Sequence, residues 1–175
     1  MTGLHHMLIH FPIVLWLAAA ALLLAGCAGR APAWGSPVLR LILPLALLAA
    51  IAALITGLLA WSPQAIMASP LGRNKLAFAL WLVTCWGVLS WLHFRHGEAL
   101  FEPGLRLLTA TLGILGVVLL LITATQGGLL AGVSAGVPDL LRAMGFEVYT
   151  TLRQPWWSLL VLLSVVAALF TLARR

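Results

Sequence analysis

LIHFPIVLWLAAAALLLAGCA, residues 8–28, contains no Lys, Arg, Asp or Glu. A helix needs roughly 20 predominantly apolar residues to cross the hydrocarbon core of a bilayer, and this stretch has that length with one imidazole, His10, near its start. Four further stretches read the same way: 38–61, 76–94, 105–125 and 156–173. The segments between them are turn-like, namely GRAPAWGSP, SPQAIMASPLGRN, RHGEALFEPG and a longer piece, 126–155, punctuated by GG, VP and QP. Within that piece PDLLRAMGFEVYTTL mixes apolar and charged residues at helical spacing, the pattern of a helix lying in the membrane interface. The sequence therefore predicts an all-α, polytopic membrane helical bundle. It has five transmembrane helices and an interfacial helix between the fourth and fifth, in one integral membrane domain over residues 1–175.

Composition agrees. The chain is 63% hydrophobic and 8% charged, with a mean hydropathy of +1.11, where a water-soluble domain is about a quarter charged. Its net charge of +6 comes from basic residues that sit between the apolar runs. At those places they meet lipid headgroups and set orientation rather than bind nucleic acid. Cys27 and Cys85 lie in separate apolar stretches and form no CxxC motif, so neither a zinc knuckle nor a disulfide framework is expected. LLAGC, residues 23–27, resembles a bacterial lipobox, but MTGLHHMLIHFP before it has no Lys or Arg to make a positive n-region. Processing there is not expected.

If five helices alternate direction, Arg73, Lys75, Arg142 and Arg153 fall on one side, and Arg30, Arg40, Arg95, Arg106, Arg174 and Arg175 on the other. The excess makes the second side cytoplasmic and puts the N-terminus outside, in the bacterial inner membrane. Trp34, Trp61, Trp91, Trp156 and Trp157 sit near span ends and read as aromatic-belt anchors. Pro12 and Pro44 fall inside predicted helices, where each removes a backbone hydrogen bond.

Three of the five histidines, His5, His6 and His10, crowd the threshold of the first span. Positions four apart share a helix face, so His6 and His10 point together while His5 is rotated off that stripe. Pro12 also leaves the carbonyl of Leu8 without its usual amide donor. Imidazoles at such a place suit axial ligation of haem iron, a small metal site, or proton and quinone chemistry, or they are solvated interface residues. An ionisable group within a membrane segment is a functional candidate by default. A second cluster, HFRH at 93–96, lies at the opposite end of the third span, across ~30 Å of hydrocarbon, and reads as an interfacial cap with Arg95 and Glu98. On the side of the first cluster the alternation places Met67, Lys75, Gln126, Asp139, Met144, Glu147 and Tyr149 as candidate second ligands or hydrogen-bond partners.

These features resemble the DUF2231 family of predicted prokaryotic membrane proteins, whose members open with a histidine, a few apolar residues and HFPI. Later they carry a GG-x-L element followed by G-V. HMLIHFPI and ATQGGLLAGVSAGV (124–137) are the matching stretches, with His5 and His10 as the pair. The resemblance covers the first four helices, and the fifth reads as an extension. It implies a membrane role beside cytochromes and other electron-transfer modules. The family's further histidines, at the start of the third helix and after the GG element, are replaced here by GRNKLAF, with Asn74 and Lys75, and by GVSAG, with Ser134. Only His5 and His10 carry over.

The resulting expectation is a membrane subunit associated with electron transfer, more a relay or anchor than an enzyme in itself. It would hold a b-type haem or a metal near His5, His6 and His10 and pass electrons between a cytochrome and quinone. The alternative is a non-catalytic scaffold that binds partner helices through small-residue surfaces such as AALITG and TLGILG. A transporter is disfavoured because no helix core carries a charge, and no acid is placed to orient a Ser or Cys triad.

Overall fold

A computed structural model of the protein describes residues 2–132 and 137–145, together with the isolated positions Leu160, Ser164 and Ala167. Among the described residues all regular structure is helical: α1 (Thr2–Leu8), α2 (His10–Cys27), α3 (Gly35–Ala60), α4 (Pro63–Ala68), α5 (Pro70–His96), a 3-10 turn (Gly97–Phe101), α6 (Pro103–Leu130) and α7 (Val137–Ala143). Four stretches are long and apolar enough to cross a membrane: Gly3–Cys27, Gly35–Ala60, Pro70–Phe101 and Pro103–Leu130. They correspond to the first four predicted spans. The fifth, 156–173, lies outside the described residues. Helix α7 occupies the start of the predicted interfacial segment, with Asp139 and Arg142 3.6 Å apart along it.

Backbone chemistry sets the element ends. Ser62 and Ser69 each precede a proline; their hydroxyls accept the amides of Ala65 (3.2 Å) and Gly72 (2.9 Å), which caps α4 and α5. Pro63, Pro70 and Pro103 occupy first-turn positions where the missing N–H leaves nothing unpaired. Chain reversals use Gly29 (φ 69°) and Gly97 (φ 55°), conformations that strain a residue with a Cβ. The first and third membrane helices begin earlier than hydropathy suggests, at Gly3 and Pro70 instead of 8 and 76. Polar residues such as His5, His6 and Lys75 lower the local hydropathy without breaking a helix, so the helix carries them into the bundle.

Helices α2, α3, α5 and α6 close a ring in which α2 packs on α3 and α6, and α5 on the same two, while α1 lies against α3. At the centre Trp16 and Trp86 stack with centroids 5.5 Å apart and planes 9° from parallel, 1% and 0% exposed. Large apolar side chains point outward in return, Phe11, Leu41, Leu48, Leu107 and Phe94 among them. No soluble surface carries apolar cover on that scale, whereas lipid receives it without cost.

The small residues nominated above as partner surfaces are used inside the bundle. In TLGILG, a Cβ at Gly113 would contact Leu24, and one at Gly116 would stand 2.9 Å from Trp86 Cε2. In AALITG, one at Gly57 would stand 3.0 Å from His5 Cε1. The lipobox-like stretch is also internal, since Gly26 packs directly on the Phe101 ring.

Candidate functional site

At the end of the bundle where α1 begins and α3 ends, the four walls part to leave a funnel of about 510 Å³. Its lining runs from His5 to Trp16 on α1 and α2, from Ala50 to Trp61 along and just past α3, through Ala65 and Ile66 of α4, from Gly72 to Val83 on α5 and from Leu120 to Ala131 on and just past α6. At 1.5 Å per residue each wall is about 15 Å deep, roughly half the hydrocarbon core. Trp16, Ala50, Leu82 and Leu120 form the floor, and His5, His6, Trp61 and Lys75 gather near the mouth. The volume falls within the range of small-molecule sites, about 300–1,000 Å³.

His5 is the best-seated imidazole, 5% exposed. The Thr56 hydroxyl lies 3.3 Å from His5 Nδ1, within hydrogen-bond reach, and the carbonyls of Ala52 (2.9 Å) and Ala53 (3.1 Å) on its own helix are acceptors for the same hydroxyl. Gly57, one residue on, has no Cβ to displace the ring. Trp61 meets both His5 and His6 edge-on, with centroids 5.4 and 6.3 Å away, and the two imidazoles lie 5.9 Å apart. His10 lines the funnel but is exposed; its Nδ1 donates to the His6 carbonyl at 2.7 Å. That bond spans the one-residue break at Ile9, where α1 ends and α2 begins.

Opposite the histidines stands Lys75, half-buried on the second turn of α5. Its Nζ lies 5.1 Å from the centroid of the Trp61 ring, a cation–π distance, and it interacts electrostatically with His5. A Cβ at Gly127 would come within 3.4 Å of Nζ, so the first glycine of the GG element is the space in which the ammonium sits. Among the described residues the lining contains no carboxylate.

All three sequence-identified histidines therefore meet at one funnel, but in a different order of importance: His5, rotated off the His6 and His10 stripe, faces the bundle. Trp61, read from sequence as an interface anchor, is a wall of the site. Thr56 and Gly57 were not singled out as site residues; their signal was a Thr-Gly pair near the end of α3, on the same side as the histidines. Among the other candidates, Met67 lends its carbonyl to Arg73 (2.8 Å), and Gln126 is buried outside the lining. Asp139 and Met144 are exposed on or beside α7, and Ser134, Glu147 and Tyr149 lie outside the described residues. At the far end His93 is 2% exposed, its Nε2 donating to the Ser36 carbonyl at 3.3 Å. It ties α5 to α3 inside the bundle instead of capping the surface. Ser36 and Thr56 are separated by about 30 Å of α3, so the two histidine clusters occupy opposite ends, as the alternation of spans requires.

Among the described residues no three His, Cys, Asp or Glu groups converge as a metal site. A b-type haem held between two imidazoles does not fit either. His5, His6 and His10 all come from one wall, and the opposing wall offers the Lys75 ammonium against Gly127.

The fold and site define a polytopic helical membrane protein with a one-ended internal funnel. The chain matches the family model described as "Predicted membrane protein (DUF2231)" over residues 2–138 and belongs to that family. The matched region takes in all four described spans and the start of α7. No curated protein and no solved structure matches it.

Proposed function

We propose that this protein is a membrane-embedded binding subunit whose funnel holds a lipid-soluble ligand, the apolar part in the shaft and the polar head at the His5, His6, Trp61 and Lys75 rim. The observation that carries this reading is the funnel itself, about 510 Å³ walled by aliphatic side chains with polar groups concentrated at its mouth. Gly57 adds to it, since a Cβ there would stand 3.0 Å from the His5 ring at the mouth. Basic residues favour a bacterial inner-membrane location with the rim outside and the C-terminus cytoplasmic: Arg30, Arg40, Arg95 and Arg106 cluster at the far end against Arg73 and Lys75 at the rim. In that placement α7 lies on the outer side of the membrane.

Electron relay between a cytochrome and quinone is the second reading, favoured by the imidazoles of His5, His6 and His10 lining the funnel. Each is a base suited to accept a hydroxyl proton from a hydroquinone head at the rim, while the electrons pass to the cytochrome partner. The test common to both readings is native mass spectrometry of protein released in mild detergent. The wild type is expected to retain a small-molecule adduct that Ala53→Phe and Ala79→Phe, which fill the shaft from two walls, both lose. Adduct patterns identical in all three proteins would refute the funnel as the binding site.

A further inference from the structure

Among the described residues Lys75 is the one Lys, Arg, Asp or Glu lining the funnel. It stands within a membrane span, half-buried, and among the described residues the ion pairs are confined to Asp139 and Arg142. Glu98 and Glu102 are at the other end of the bundle. An ammonium withdrawn from water without a counter-charge is costly in an apolar surround, and the Trp61 face compensates only in part. Its surroundings hold it between two helices: Gly127 of α6 lies beside Nζ, and the Trp61 ring flanks it at 5.1 Å. What the arrangement lacks is an anion.

We infer that the ligand is a lipid whose head is an anion, seated with its phosphate or carboxylate on Lys75 beside His5 and His6 and its chain running down the shaft toward Trp16. The inference rests on the funnel reading above and adds the charge of the head. The shape argues for a chain: the shaft is about 15 Å deep and closed at its floor by the Trp16–Trp86 stack. The chemistry argues for the anion, since a compact, three-donor ammonium makes charge-assisted hydrogen bonds to phosphate or carboxylate oxygens.

The test uses full-length protein stripped of lipid in a neutral detergent and titrated separately with phosphatidylglycerol, oleate, phosphatidylcholine and a short-chain quinone. Binding is read by native mass spectrometry and the fold is checked by circular dichroism. At least one anion is expected to bind more tightly than the two uncharged-overall ligands. Phosphatidylglycerol above oleate identifies a phosphate head, and the reverse a carboxylate. Lys75→Gln is expected to weaken the anion roughly 10-fold, the loss of one charge-assisted hydrogen bond, to the level of phosphatidylcholine, and Lys75→Arg to restore most of it. Phosphatidylcholine or quinone binding as tightly as the anions, or an anion preference that survives Lys75→Gln, overturns the inference while leaving the funnel intact. Failure of the funnel reading looks different: no ligand saturates, and Ala53→Phe behaves as wild type.

Discussion

Gly116→Ala puts the packing to a quantitative test. The new methyl would stand 2.9 Å from Trp86 Cε2, 3.0 Å from Nε1 and 3.1 Å from Cζ2, where carbon contacts settle at about 3.5–4.0 Å. The ring must therefore withdraw by roughly 0.5–1 Å. Trp86 has nowhere to go: it is 0% exposed and stacked on Trp16, itself 1% exposed. Either α5 and α6 separate along their interface or the indole pair shifts into the funnel floor. Overpacking of this kind costs about 1–3 kcal/mol. Gly87→Ala, on α5 beside Trp86, is the control, because a Cβ there meets nothing within 4 Å. Reversible unfolding in mixed micelles titrated with SDS reads both. Gly116→Ala should lose about 1–3 kcal/mol and Gly87→Ala should stay within about 0.5 kcal/mol of wild type. Equal stability of the two variants would refute the close α5–α6 approach and the placement of the tryptophan stack.

Three other outcomes follow from the geometry. A double-mutant cycle of His5→Phe with Thr56→Val should give a coupling of about 0.6 kcal/mol and no more than about 1.7, the range for interhelical hydrogen bonds in membranes; zero coupling would mean that the ring does not rest on Thr56. Gly57→Ala, which presses on the same ring at 3.0 Å, should weaken ligand retention in native mass spectrometry more than the outward-facing Leu59→Ala does, and equal retention would count against the seating of His5. Cys27, half-buried with its thiol 3.5 Å from the Arg106 carbonyl, should react with a maleimide well before Cys85, which is buried against the Leu112 carbonyl at 3.3 Å. With the rim outside, a membrane-impermeant reagent should reach Cys27 from the cytoplasmic face, and labelling in intact cells would reverse the orientation.

How far the sequence discloses this molecule depends on which physics controls each feature. Membrane spans are dictated by transfer of side chains to hydrocarbon, a nearly local property, so all four described helices are legible from hydropathy. Their true starts are not, because helix formation depends on backbone hydrogen bonds that His5 and Lys75 do not interrupt. The site is half legible. Residue chemistry draws attention to His5, His6 and His10, and alternation of spans puts Lys75 on their side. Rotation about each helix axis is set by packing, however, so sequence alone favours the His6 and His10 stripe over the buried His5. Trp61 is hidden for a related reason: a tryptophan at a span end looks the same whether it anchors in the interface or turns inward between an imidazole and an ammonium. The small-residue stripes show the converse, since sequence identifies close helix approach but not whether the approaching partner belongs to the same chain.

An experimental density map of the protein in lipid nanodiscs, without prior delipidation, examines the central claim most directly. The account predicts elongated density from the Lys75 and His5 rim to the face of Trp16. Walls collapsed onto one another, with the space between Ala53, Ala79 and Thr123 filled by side chains, would contradict it.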